Sequence, residues 1–207
     1  MQQETSEQRA VPSRRPGQWP PREGATHSLG GHLTVTAVTP VLLVTGPVGV
    51  GKSAVLHEAD QLLIEARIGH ATLELEEIAR CWPAPAEPES RQSMILGNLA
   101  ALWSNFAARG ANRLLLAQIL KHRSQLQRLK EAIPESQLTV VRLHAPLSLI
   151  EERLRRREPN PEEELDAARW LAPRMDASGG EDHVVENGKR PLREVASEVL
   201  RVAGWLP

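Results

Sequence analysis

The sequence predicts an α/β domain of three layers, with helices packed on both faces of a mostly parallel, five-stranded sheet. Three observations predict it. Short, branched apolar runs such as Val41-Leu42-Leu43-Val44 read as strands buried on both faces. Between them lie longer stretches whose apolar residues recur at helical spacing. Strands that alternate with helices in this way are joined by right-handed crossovers. The third observation is a glycine-rich turn directly after the first strand, at the strand end where such folds bind ligands.

The elements follow in order. Residues 1–32 are rich in Gln, Pro and Gly and show no apolar periodicity, so they read as a flexible or disordered tail, with a partner-binding arm as the rival. The folded domain spans 33–207. Leu33, Val35 and Ala37 alternate with threonines and suggest a short extra strand. After the first strand and its turn, Val55, Ala59, Leu62, Leu63 and Ala66 mark a helix from Lys52 to about Arg67, with Gly69 as its C-cap. Ala71 to Leu75 is the second strand. Pro83, Pro85 and Pro88 keep the next loop out of helix. Ser90 or Ser93 caps a helix through Met94, Leu99, Trp103 and Phe106 that ends at Gly110. Arg113–Gln118 is the third strand. A helix over 124–133 follows, stopped by Pro134. Leu138–Leu143 is the fourth strand, and Pro146 opens a helix to about Arg157. Glu162–Arg169 is helical, His183-Val184-Val185 is the fifth strand, and Leu192–Val202 is a closing helix.

Composition narrows the function. The net charge of −1 over 207 residues argues against a coat on nucleic acid or on an anionic membrane. No apolar run approaches the ~20 residues of a membrane helix. The single cysteine, Cys81, excludes an internal disulfide and a Cys-cluster zinc site. The first residues are polar and acidic, unlike a secretory signal. A soluble, cytoplasmic setting is the expectation. The basic residues are lopsided, since only Lys52, Lys121, Lys130 and Lys189 of the 25 are lysine.

The strongest motif is Gly46-Pro47-Val48-Gly49-Val50-Gly51-Lys52-Ser53, which fits the phosphate-loop pattern. The glycines let several backbone N–H groups converge on one phosphate, and the following helix points its positive end at the same anion. Lys52 reaches the β- and γ-phosphates, and the Ser53 hydroxyl ligates Mg²⁺. Chains of this composition match the pattern by accident about twice per thousand. A plain glycine turn therefore loses to nucleotide binding, and the fold is expected to be a three-layer P-loop NTPase. The Asn-Lys-x-Asp reader of GTPases is absent, and so is the Leu-Ser-Gly-Gly-Gln transporter signature.

These segments resemble the small P-loop kinases: adenylylsulfate, gluconate, shikimate and nucleoside kinases and chloramphenicol phosphotransferase. The likeness is nearest to bacterial kinase-like P-loop ATPases of unassigned substrate. It covers about residues 40–206 and rests on the phosphate loop, Leu73-Glu-Leu-Glu-Glu-Ile78, Gly97-Asn-Leu-Ala-Ala-Leu-Trp103, Val140-Val-Arg-Leu-His-Ala-Pro146 and His183-Val-Val-Glu-Asn-Gly188. The resemblance implies a five-stranded parallel sheet, ATP and Mg²⁺ as cofactors, and a small-molecule acceptor.

In this family the second strand usually ends in an Asp that orients or deprotonates the acceptor, or helps hold Mg²⁺. Here the matching stretch is Glu74-Leu75-Glu76-Glu77. On a strand Glu74 and Glu76 share one side, and Glu76, nearer the strand end, is the first choice. Glu is longer than Asp by about 1.5 Å. A solvated acidic strand end is the competing reading. No acid follows the third strand, where Ala117-Gln118 stands.

The family also places a helix after the fourth strand, leading into a lid whose arginines clamp the transferring phosphoryl group. Arg153, Arg156 and Arg157 share a helical face, and Arg153 and Arg157 are the phosphate-side choices. The lid spans about 153–176, with Arg169 and Arg174 as further candidates and Pro159-Asn160-Pro161 as its hinge. Against this, Glu151–Arg155 and Glu152–Arg156 are favourable i,i+4 pairs of an ordinary solvated helix. Trp82 lies near the expected acceptor, whereas Trp103 and Phe106 read as core. His144 reads as structural, and Cys81 has no base partner.

The catalytic set is therefore Lys52, Glu76, Glu74, Arg153 and Arg157. The expected activity is transfer of the ATP γ-phosphate to a hydroxyl of a small molecule, with no nucleic-acid or membrane partner. The alternative is a nucleotide-binding regulatory ATPase with little kinase activity. The sequence leaves the acceptor and the oligomeric state open.

Overall fold

Leu42, Leu43 and Val44 have no exposed surface and Val41 almost none. They belong to β1 (Thr39–Thr45), which lies between two neighbours in the middle of the sheet. The computed structural model describes residues 38–157 and 159–207. The expected tail at 1–32 and the expected strand at Leu33, Val35 and Ala37 lie outside the described residues.

After β1 come α1 (Lys52–Glu65), β2 (Ala71–Glu74), a 3-10 turn at Glu77–Ala79, α2 (Pro88–Ala107), β3 (Leu114–Ala117) and α3 (Ser124–Ala132). Then follow β4 (Ser136–His144), α4 (Leu147–Arg157), α5 (Glu162–Ser178), β5 (His183–Glu186) and α6 (Leu192–Val202). The strand order is β2-β3-β1-β4-β5, and every pairing is parallel. The predicted α/β class therefore holds, and the sheet is wholly parallel.

Strand alternation divides the core into two layers. Leu42, Val44, Leu115, Ala117, Val141 and Leu143 face α1, α4, α5 and α6. Val41, Leu43, Leu114, Leu116 and Val140 face α2 and α3. Fully burying each such leucine stabilises the fold by about 1.5–3 kcal/mol. No helix among the described residues is long and apolar enough to cross a membrane.

Three element ends differ from expectation. Helix α1 closes through Arg67, at φ 56, with the Ile68 N–H donating back to the Leu63 carbonyl at 2.9 Å. Gly69 is not the cap; a Cβ there would lie 2.8 Å from the Gly110 carbonyl oxygen, so its role is close packing. Helix α2 starts at Pro88 after Glu87, without a Ser90 or Ser93 cap. Proline suits a first helical position because its missing N–H has no partner to lose there. Its last residue is Ala107, and the turn to Gly110 lies beyond the helix. Helix α5 runs on to Ser178 through Pro173, carried by the buried stripe Leu165, Ala168, Leu171 and Met175. An interior proline costs about 3 kcal/mol, which that burial outweighs.

The buried polar side chains among the described residues are Thr45, Gln118, Arg142 and Asn187. All four lie at or near the carboxyl end of a strand. Thr45 ends β1 and sits beside Arg142 of β4 in register. Gln118 extends the β3 ladder by donating its N–H to the Val44 carbonyl, and Asn187 follows β5. Buried polar groups are costly unless partnered. Their concentration at one end of the sheet marks where ligand chemistry belongs.

Candidate active site

The turn between β1 and α1 is held from outside. The Val50 carbonyl accepts from Asn187 Nδ2 at 2.7 Å and from the Arg153 guanidinium at 3.1 Å. Helix α4 packs so closely that a Cβ on Gly49 would lie 2.7 Å from Leu154 Cγ. A Cβ on Gly51 would lie 2.6 Å from Asn187 Nδ2, and Gly51 also needs φ +103. Only glycine fits either place. Gly51 is the N-cap of α1 and offers no side chain to its first N–H groups. Those donors are left for an anion, at the positive end of the helix.

Lys52 Nζ donates to the Gly46 and Pro47 carbonyls, both at 3.0 Å, and so folds back over the turn. Burial pushes its pKa down to about 8. The charges of Glu76 and then Glu74 oppose that fall, and Arg157 adds to it. Glu76, Glu74 and Arg157 therefore all act on this one ammonium. A phosphate on the turn would supply the negative charge that it lacks.

Ser53 Oγ donates to Glu74 Oε2 at 2.8 Å. Glu74 is the last residue of β2, so the strand alternation expected to carry on to Glu76 stops there. Glu76 instead precedes the 3-10 turn with helical backbone angles, φ −72 and ψ −31. The two carboxylates meet Lys52 because the chain turns, and not because they share a strand face. Glu76 is exposed and its carboxylate has no hydrogen-bond partner among the described residues. Glu77 is taken by Arg80 at 2.5 Å. At the end of β3, Gln118 is buried and its Oε1 has no partner among the described residues.

The α4 arginines divide by use. Arg153 turns inward, and besides Val50 it donates to the carbonyls of Asn187 at 3.0 Å and Gly188 at 2.7 Å. Its fork is thus spent on backbone that holds the turn. Arg155 pairs with Glu151 at 2.8 Å and Arg156 with Glu152 at 3.7 Å, as the solvated-helix reading expected. Arg169 pairs with Glu151 and Asp166, and Arg174 lies over the Trp170 ring at 4.3 Å. Such exposed pairs are screened by solvent and contribute little to stability.

On the α2/α3 side, a cavity of about 450 Å³ opens beside the turn, with Thr45, the residue before Gly46, in its wall. Thr45 Oγ1 accepts the N–H of Leu120 at 2.9 Å, which ties the loop after β3 to the base of the turn. Arg142 crosses the opposite wall, donating to Glu181 at 2.8 Å and Asp176 at 2.6 Å. Asp176 is therefore an ion-pair partner. His144 Nδ1 lies 2.7 Å from Glu186. Trp82 is almost wholly exposed, and Trp103 and Phe106 pack against the core. Among the described residues no group of three or more His, Cys, Asp or Glu is placed to hold a metal ion by itself.

Asn187 and the loop after β3 escaped the sequence reading. Asn187 stood in a quoted segment, but its bond to Val50 spans 137 residues and leaves no local trace. Arg142 did leave one, as a lone charge inside the apolar run Leu138–Leu143. Charged residues are almost never buried unless paired, so such a position flags a buried ion pair.

No family model matches the sequence, and no curated protein matches it. Solved structures do match in fold. The tunicamycin resistance protein of Deinococcus radiodurans aligns at TM-score 0.56 and 20% identity, over 82% of this chain and 97% of that one. The APS kinase of Mycobacterium tuberculosis, solved with AMPPNP and APS, aligns at 0.55 and 20%, over 81% and 98%. A gluconokinase from Sinorhizobium meliloti aligns at 0.54 and 21%, over 81% and 92%. The chain therefore has the fold of the small P-loop kinases.

Proposed function

We propose that this chain transfers the γ-phosphate of ATP to a hydroxyl of a small molecule. The observation that carries the reading is the Ser53–Glu74 contact of 2.8 Å, set beside a phosphate turn closed by Lys52. It brings a hydroxyl and a carboxylate, both hard oxygen donors, to the place where Mg²⁺ accompanies a bound nucleotide. These residues fit the ion: Ser53 would hold it directly and Glu74 beside it. Bound there, Mg²⁺ would neutralise charge on the nucleotide phosphates.

The chain's own groups divide the remaining work. Backbone N–H groups of residues 48–53 orient the phosphates, and Lys52 stabilises charge on the transferring group. The acceptor oxygen attacks γ-phosphorus, the bond to the β,γ-bridging oxygen breaks, and ADP leaves. Glu76, which is unpaired, takes the proton from the acceptor hydroxyl, while Glu74 stays with Ser53. Arg157 adds positive charge on the phosphate side, and Arg153 holds the turn in shape. Helices α4 and α5 carry the proposed lid at 153–176. The cavity beside Thr45 gives the acceptor its space. The shared fold supports this reading, since APS kinase and gluconokinase are built on it.

A second reading has its own support. Glu74 and Glu76 stand where the family has Asp, and β3 ends in Gln118. Both favour a nucleotide-binding regulatory protein with slow hydrolysis. ADP release from purified protein, measured with and without a panel of small hydroxylated metabolites, separates the two readings. Acceptor-dependent release that Lys52→Ala abolishes supports the kinase. Tight ATP binding with no acceptor dependence supports the regulator.

A further inference from the structure

The cavity beside the phosphate turn has an uneven charge. One wall carries Lys121, His122 and Arg123, three consecutive exposed residues. Their side chains make no hydrogen bond or ion pair among the described residues. The facing wall carries Arg142 and Glu181, the only acid lining the cavity. Glu181 is already bonded to Arg142, which Asp176 bonds as well. The cavity wall itself therefore holds no carboxylate left for the two cations, Lys121 and Arg123. The acid of the adjoining hollow, Asp182, accepts the Val140 N–H at 2.7 Å.

The cationic loop is also fixed in place. Gln125 Oε1 accepts the backbone N–H of Lys121 at 2.7 Å and of His122 at 3.0 Å. Leu120 is tied to Thr45, one residue before the phosphate turn. These bonds fix the backbone that carries the two cations, one residue's reach from the strand end that leads into the turn. Arg123 also borders that adjoining hollow with Lys130 and Asp182, two cations against one acid. A neutral polyol would leave these charges unused. An oxyanion would bond them, and charge-assisted bonds are the strong ones.

We propose that the acceptor carries an oxyanion, a carboxylate or a phosphate, which Lys121 and Arg123 hold while its hydroxyl faces the phosphate turn. This rests on the phosphotransfer reading. A cavity of about 450 Å³ suits a small metabolite.

The test uses the full chain loaded with AMPPNP and saturation-transfer NMR. The probes are hydroxy acids and sugar phosphates, each with its neutral counterpart, such as gluconate against glucose and glycerol 3-phosphate against glycerol. Expected is binding of at least one anion and not of its neutral counterpart. Lys121→Ala/Arg123→Ala should weaken that binding at least tenfold, with ATP affinity changed less than twofold. Arg123→Lys, which keeps the charge, should hold binding within threefold. The inference is overturned if neutral compounds bind as well as anions, if no anion binds, or if the double variant leaves anion binding intact. Anion binding through Lys121 and Arg123 without acceptor-dependent ADP release would sink the phosphotransfer reading alone.

Discussion

Arg153 donates to the carbonyl of Val50 across 3.1 Å, although 103 residues separate the two in sequence. The same guanidinium bonds the carbonyls of Asn187 and Gly188. One side chain thus clamps the phosphate turn to the segment after β5. Burial pushes its pKa down, yet an arginine stays charged at any working pH.

Arg153 is therefore a positioning residue, and its loss should act through the turn. Arg153→Ala leaves Val50 with only Asn187 and removes two further carbonyl contacts. Hydrogen bonds to a charged group are worth about 1.5–3 kcal/mol, so ATP-analogue affinity should fall at least tenfold. Arg153→Lys should recover little, because an ammonium cannot reproduce a planar fork aimed at three carbonyls. Fluorescent-nucleotide titration of both variants checks this. Equal affinity in Arg153→Lys and the parent would show that charge alone suffices.

Lys52 makes the site sensitive to pH. Its pKa is about 8 folded and 10.5 in an ordinary setting. Between those values the unfolded chain holds a proton that the folded chain has released, so stability rises with pH there. Below pH 8 the full cost of burying the charge is present, on the order of 3 kcal/mol. A bound phosphate should return the pKa toward its ordinary value. ATP binding at pH 8.5–9.5 should then take up close to one proton, read by calorimetry in buffers of different ionisation enthalpy. Lys52→Met should abolish the uptake and flatten the rise in apo-protein stability. Uptake unchanged in that variant would place the titration elsewhere.

What was legible in the sequence was what is local in the chain. The glycine-rich turn is written within eight consecutive residues, and β1 declares its burial in a four-residue apolar run. Glu151–Arg155 was visible because one helical turn joins the two. Arg153 shared that helix, but its partners Val50, Asn187 and Gly188 lie on other elements, so spacing suggested a phosphate clamp where the fold built a brace. Gly69 drew the cap assignment because glycine suits φ > 0, yet Arg67 adopts that angle and Gly69 is required by its neighbour Gly110. Glu76 reads as the carboxylate nearest the strand end, but β2 ends at Glu74, and the turn that brings Glu76 to Lys52 depends on where β2 stops pairing with β3. The cationic loop at 121–123 has no pattern of its own; it becomes a site only when Thr45 holds it beside the phosphate turn.

Glu74 and Glu76 should separate into two phenotypes, because only one of them has a partner. Glu74 accepts from Ser53, so Glu74→Gln keeps a hydrogen-bond acceptor and loses the charge beside the Mg²⁺ position. The Mg²⁺ concentration needed for half-maximal rate should rise several-fold, and saturating Mg²⁺ should restore much of kcat. Glu76 is exposed and unpaired, so Glu76→Gln disturbs no bond in the resting protein. It removes the group assigned to take the acceptor's proton, a role that contributes about 10²–10⁴-fold to rate. Acceptor-dependent kcat should fall at least a hundredfold, with the Mg²⁺ requirement unchanged. Steady-state kinetics over a Mg²⁺ series distinguishes the two variants in one experiment. If Glu74→Gln instead takes the larger loss in kcat at saturating Mg²⁺, the base is Glu74 and its contact with Ser53 is a resting-state arrangement that the nucleotide breaks.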